Sequence, residues 1–189
     1  MLTSRILWVG VLLFTLTLGA NVRAADTFKV DTVHSSILFK AQHMGAGFTV
    51  GRFDKFSGTI TLDDAASAIN LVVESASLNT GADKRDEHLR GADFFNAKES
   101  PQITFTSKSV KKSGDKTYEV TGEFTLLGVK KEVTFTAKQV GEGKGMKGEK
   151  VVGFEASLTV KRSDFGMKYM IDKLGDDIPL EINLEADAQ

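Results

Sequence analysis

The chain has 189 residues, 25 acidic against 24 basic side chains and a formal net charge of −1. That balance offers no overall positive field for nucleic acid or an anionic membrane surface. With no cysteine, no disulfide stabilises the fold and no thiol can act as a nucleophile.

The first 24 residues read as a secretory signal peptide: Arg5 supplies a basic start, Ile6 to Ala20 an apolar run, and Val22-Arg23-Ala24 a small-residue cleavage site. The run falls short of the roughly 20 residues that span a bilayer, and no cysteine follows it to carry a lipid anchor. Cleavage leaves residues 25–189 as one domain with a real core. Trp8, the only tryptophan, leaves with the leader, whereas twelve of the 13 phenylalanines stay. An interior lined with smooth apolar rings is the expectation.

From Phe28 onward the apolar period is two, which predicts strands. Ile37, Phe39 and Ala41 share one face, Gly45-Ala46-Gly47 breaks the run, and Thr49 to Leu62 resumes as one long extended segment. Asp63-Asp64 turns the chain, and Ile69, Leu71 and Val73 form the next face, ending near Leu78. Residues 80–95, TGADKRDEHLRGADFF, then interrupt the alternation with dense charge and a Phe94-Phe95 pair. A short helical insert is predicted over residues 83–96, with Asp83 as N-cap, Asp86 in the capping-box position, Arg85 and His88 on one face, and Gly91 as the stop.

Pro101 opens another strand, as tolerated at a first position. Lys111 to Lys116 and Gly128 mark hairpin turns flanking the alternating runs from Tyr118 to Leu126 and from Val133 to Ala137. Gly141 to Gly148 reads as a flexible connection. Phe154 to Val160 and Ile178 to Leu184 alternate again, separated by a break from Arg162 to Asp177. The fold class is therefore all-β: an antiparallel barrel of about eight strands, with a β-sandwich as competitor.

The residues that could carry chemistry are few. His34, His43 and His88 lack the short spacing of a zinc site, and about 3.3 Å per residue puts His34 and His43 roughly 30 Å apart on an extended strand. There is no G-x-S-x-G or H-E-x-x-H motif, and no phosphate-binding loop among Gly141, Gly143, Gly145 and Gly148. His88 beside Asp86 and Glu87 could act as an oriented base or form part of a salt-bridged helix face. Arg52, Arg85 and Arg162 flank strand-to-loop breaks, where a guanidinium could grip a head group or brace a loop. No metal and no catalytic residue is assigned.

Taken together, Asp31-Thr32-Val33-His34-Ser35, Gln42-His43-Met44-Gly45, Gly51-Arg52-Phe53, Arg85-Asp86-Glu87-His88-Leu89, Asp93-Phe94-Phe95, Pro101-Gln102-Ile103-Thr104-Phe105 and Arg162-Ser163-Asp164-Phe165-Gly166 occur in an order that resembles the YceI-like family of exported bacterial proteins. Thr125-Leu126-Leu127-Gly128 departs slightly from that family's usual Leu-Thr-Leu-x-Gly. The resemblance implies a lipocalin-like barrel whose apolar cavity holds an isoprenoid chain or similar long amphiphile, in a periplasmic or secreted binding protein rather than an enzyme. The tail would lie against Phe39, Phe53, Phe56, Phe94, Phe105, Phe124 and Phe135. The head group would sit near His43, Arg52, Arg85, His88 or Arg162. A bound lipid is expected and no cofactor; nucleic acid and stable membrane insertion after leader cleavage are not, and a homodimer stays open. A stress-related interaction protein with a filled core, or a lipid-modifying enzyme, are the alternatives.

Overall fold

A computed structural model describes residues 25–63 and 66–189. The segment read as a leader and Asp64 of the Asp63-Asp64 turn lie outside the described residues.

The alternating runs form ten strands: β1 (Asp26–His43), β2 (Gly47–Phe53), β3 (Phe56–Leu62), β4 (Ala68–Glu74), β5 (Leu78–Asn79), β6 (Gln102–Gly114), β7 (Thr117–Leu126), β8 (Val129–Lys144), β9 (Lys150–Lys161) and β10 (Asp177–Ala188). All neighbours pair antiparallel, and β10 pairs back onto β1, so the sheet closes into a barrel and the sandwich alternative falls. The barrel has eight positions because the predicted segment from Thr49 to Leu62 is broken at Asp54-Lys55. Its two halves pair with different halves of β1: β2 with Leu38–His43, and β3 with Asp26–Lys29. The predicted β4 run likewise ends at Glu74, where a 3-10 turn at Ser75–Ser77 steps the chain into the two-residue β5.

At Leu127-Gly128 both residues have positive φ (53° and 74°), the geometry of a type I′ hairpin turn. The connection expected at Gly141 to Gly148 is shorter than that. Gly141 and Gly143 pair with Gly153 and Val151, and only residues 145–149 form the tip. Glycine does not end a strand whose backbone bonds are all made in a closed sheet.

Where β1 meets β10 the register slips between Asp31 and Ser36. The Ser35 hydroxyl mends the gap, accepting from the Glu185 N–H (2.9 Å) and donating to the Glu185 carbonyl (3.2 Å). Asp31 caps the bulge from the other side, accepting from the Val33 N–H and pairing with His34 Nδ1, both at 2.7 Å. The motif Asp31 to Ser35 is thus the closure of the barrel. The Asp31 bond, followed by the Asp31 and Glu185 charges, raises His34 above its ordinary value. The same bond and the Val33 N–H lower Asp31. A raised histidine stabilises the fold below pH about 6.5, an effect lost as pH rises through the folded value; a lowered aspartate contributes above about 3.9, an effect lost as pH falls through its folded value. The pair therefore supports closure most between those limits. In an NMR titration His34 should show a midpoint above 6.5 that relaxes toward it in Asp31→Asn; an unshifted midpoint in the native protein would contradict the pairing.

The interior divides into two halves. At one end Phe28, Ile60, Val120, Val152 and Ala186 are at most 2% exposed and fill the barrel. The start of β1, the C-terminal residue and the tips between β3 and β4, β6 and β7, and β8 and β9 lie at this closed end. At the other end a second cluster, including Ile37, Phe39, Phe53, Leu126 and Val160, lines the walls. That end carries the insert between β5 and β6 and the loop between β9 and β10.

Candidate functional site: an apolar cavity with a polar mouth

Inward side chains of the second half do not meet across the barrel. They enclose a cavity of about 320 Å³, inside the range of small-molecule sites. Leu71, Phe135 and Ile182 touch both this space and the small gap of about 40 Å³ beneath it, so they form its floor. The walls are almost wholly apolar, including Ile37, Phe53, Ile103, Leu158 and Leu180. Two inward glycines explain how large rings fit beside them. A Cβ at Gly51 would stand 2.2 Å from the Phe39 ring, and one at Gly122 would stand 2.5 Å from both the Phe105 ring and the Thr106 carbonyl oxygen. Each ring lies across the face a side chain would have taken.

The insert forms one flank of the mouth. Its helix α1 (Asp83–Arg90) is shorter than the predicted 83–96, and the chain continues in turns to Pro101. Ala82 rather than Asp83 is the N-cap, with no side-chain cap bond. The reason is Asp86, which is buried and turns its carboxylate to the Thr80 N–H and hydroxyl, ordering the chain that enters the helix. Gly91 does stop the helix, its N–H donating to the His88 carbonyl at 3.0 Å. Arg90 fastens α1 to the barrel through Nε to the Ala76 carbonyl (2.7 Å) and Nη2 to the Leu78 carbonyl (2.8 Å). Phe95 then packs on Phe39 and Phe53, with centroids 6.2 and 5.7 Å away.

Polar groups gather where the cavity opens. Arg85 donates from Nε to the Thr80 hydroxyl and from Nη2 to the Thr80 carbonyl; its Nη1 donates to none of the described residues. His88 Nε2 lies 3.1 Å from Asp93, and its ring meets Phe94 and Tyr169 edge-on at 5.1 and 5.4 Å. This imidazole is gripped by a carboxylate and two aromatic rings. His43 sits at the tip of β1, bridged to Leu174.

Arg162, at the other flank, is 4% exposed and begins a 3-10 turn at Arg162–Phe165. It donates to four carbonyls: Nε to Gly175, Nη1 to Met167 and Tyr169, and Nη2 to Leu174, all between 2.9 and 3.0 Å. Burial lowers its pKa and the Asp176 charge partly restores it; a guanidinium stays protonated regardless. Burial also raises Asp176, but two bonds from Ser163 together with Lys161 and Arg162 outweigh it and hold this carboxyl below its usual range.

Of the side chains expected at an apolar tail, Phe39, Phe53, Phe94, Phe105, Phe124 and Phe135 line the cavity. Phe56 does not; it packs between the two core clusters. His43, Arg85, His88 and Arg162 also line it. Arg52 does not: it precedes the inward Phe53 and so points out of the barrel, bound to Asp54 at 2.7 Å. Arg162 spends its donors on the loop, so it is a brace. Residue pattern alone does not single out the Arg90 brace, the burial of Asp86, or the wall of Met167, Tyr169, Met170 and Leu174. The signal was present in the break after Arg162, where apolar residues persist without strand alternation. Outside the cavity, Asp31, His34 and Glu185 bring one ligand atom each within 4.8 Å of one another, a proximity the hydrogen bonds of barrel closure explain.

The whole is an eight-position antiparallel barrel, packed at one end and hollow and apolar at the other. The YceI-like domain model matches residues 28–186, and the chain belongs to that family. It is 38% identical over 182 residues to Protein YceI of Escherichia coli O6:H1, covering 94% of this chain and 95% of that one. Its fold is similar to that of BcnA from Burkholderia cenocepacia (TM-score 0.75, 26% identity, 82% of this chain and 98% of that one). A polyisoprenoid binding domain from Saccharophagus degradans shares the fold at a TM-score of 0.67 and 18% identity, over 86% and 98% of the two chains.

Proposed function

We propose that the protein binds a polyisoprenoid or similar long-chain amphiphile, tail in the cavity and head at the mouth, as a carrier or sensor in the bacterial cell envelope. The observation that carries this reading is the void itself: a core that could have been filled is left open at one end, and charge enters only at its rim. Each buried CH₂ contributes about 0.8 kcal/mol, so a few isoprene units suffice for tight binding. Arg85 Nη1, His88 and His43 stand where a phosphate, hydroxyl or carbonyl head would emerge. The cavity also weighs against an interaction protein with a filled core. The polyisoprenoid-binding neighbour and the family's bacterial membership support the same reading, as does the leader-like N-terminus.

The test is organic extraction of the purified protein followed by mass spectrometry, with direct titration of a fluorescent polyprenyl probe. A stoichiometric long-chain lipid, or saturable probe binding, is expected. Neither appearing would sink the reading.

A further inference from the structure

Two lips of the mouth expose more apolar surface than a solvated rim needs. One is the β1–β2 hairpin, with Met44 at its tip and Phe48 and Val50 on its outer face. The other is the segment Tyr169-Met170-Ile171. These residues are 38% to 59% exposed and make up six of the ten exposed large hydrophobics among the described residues. Singly scattered apolar side chains need no explanation, whereas a contiguous group does. The lips touch: the Met44 N–H donates to the Lys173 carbonyl at 2.8 Å, and His43 bridges to Leu174. They are also continuous with the cavity, since His43, Tyr169 and Met170 line it.

Charge is distributed to match. The chain as a whole is at −1, yet residues 38–53 hold Lys40, His43 and Arg52 and no acid, and residues 167–174 hold Lys168 and Lys173 against Asp172 alone. Arg52 is paired with Asp54, just beyond the hairpin. Lys40 lies over the Phe48 ring, 4.2 Å from its centroid. Lysines framing methionine, isoleucine and a mouth-level tyrosine is the arrangement of a surface that sinks its apolar centre among acyl chains and leaves its ammonium groups at the phosphates. Helix α1, on the remaining flank, sets Lys84, Arg85 and Arg90 against Asp83, Asp86 and Glu87, and its His88 is paired with Asp93, so the attraction belongs to the two lips.

We infer that these lips dock the open end of the barrel on a bilayer containing anionic phospholipid, so that a lipid passes between membrane and cavity without crossing water. This rests on the lipid-binding reading, but its failure is separately visible. The mature protein would be floated with vesicles of phosphatidylcholine and phosphatidylglycerol, and polyprenyl-probe affinity measured in parallel. The wild type should float, and flotation should fall at least fivefold in pure phosphatidylcholine or in Lys168→Glu/Lys173→Glu. Met44→Glu/Ile171→Glu, one substitution on each lip and neither in the cavity wall, should stay at the bottom yet bind the probe as before and melt within a few degrees of wild type, since both sites are exposed. Met146→Glu, at the fully exposed hairpin tip of the closed end, should float like wild type. Wild-type protein that binds probe but fails to float, or a Met44→Glu/Ile171→Glu variant that floats undiminished, would overturn docking and leave the cavity reading standing. Flotation without any probe binding would overturn the lipid-transfer role.

Discussion

Replacing Arg162 by methionine should cost on the order of 3–5 kcal/mol of stability and open the loop between β9 and β10. Methionine replaces the aliphatic stem but none of the four donated hydrogen bonds to Met167, Tyr169, Leu174 and Gly175. A buried carbonyl left without a donor costs roughly 1–3 kcal/mol. Water will reach some of the four because the loop borders the mouth, so the total falls below the sum. Lysine keeps the charge, but a single ammonium on a flexible stem cannot span acceptors that the planar fork reaches together, so Arg162→Lys should recover less than half of the loss. Urea unfolding measures the difference, and amide exchange of residues 167–175 locates it. A loss below 1 kcal/mol with unchanged exchange would mean that the loop is held by something else. Because Tyr169, Met170, Leu174 and Gly175 form part of the cavity wall, ligand affinity should fall with the loop.

Leu180→Trp should lower lipid occupancy at least tenfold while leaving the fold intact. Leu180 lies on β10 opposite Phe39 in the closing register and faces the void. Enlarging a side chain in a packed core costs typically 1–3 kcal/mol because neighbours are forced off their rotamers. Here the added ring enters space already open, so stability should change by less than about 1 kcal/mol. The same exchange at Val152, wholly buried in the packed end, should unfold the protein instead, which separates the two halves of the barrel by one kind of substitution. In protein beginning at residue 25, which lacks Trp8, the new indole would be the only one, and its fluorescence would report a dry, apolar setting directly. A folded Leu180→Trp protein that still carries a full complement of lipid would place the ligand elsewhere.

The placement of particular residues shows how far local pattern reaches. Phe39, Phe53, Phe105, Phe124 and Phe135 could be assigned to one interior because period-two alternation determines the face of a strand whatever the strand pairs with. Phe56 could not be placed in the same way, whereas the alternation that turns Phe53 inward already points Arg52 out of the barrel. The chain breaks at Asp54-Lys55, and a break of two residues resets which side chains face inward. Nor did charge density in residues 80–95 say which groups act. Asp86, in a capping-box position by spacing, is a buried anchor for Thr80, while the plain-looking Arg90 ties the helix to two carbonyls. Hydrogen bonds to backbone carbonyls leave no trace in residue type, so braces such as Arg90 and Arg162 resemble ligand-binding arginines until their acceptors are seen.

By itself the sequence determined that residues 25–189 form an antiparallel all-β domain with a phenylalanine-rich interior, because alternation, turn residues and the absence of cysteine act locally or by composition. Only the tertiary structure decided that the barrel closes through Asp31 to Ser35, that one half is packed and the other hollow, and that Met44 and Met170 share one exposed rim. Those facts depend on volumes and contacts summed across strands far apart in the chain, and a void is defined by what its neighbours fail to fill.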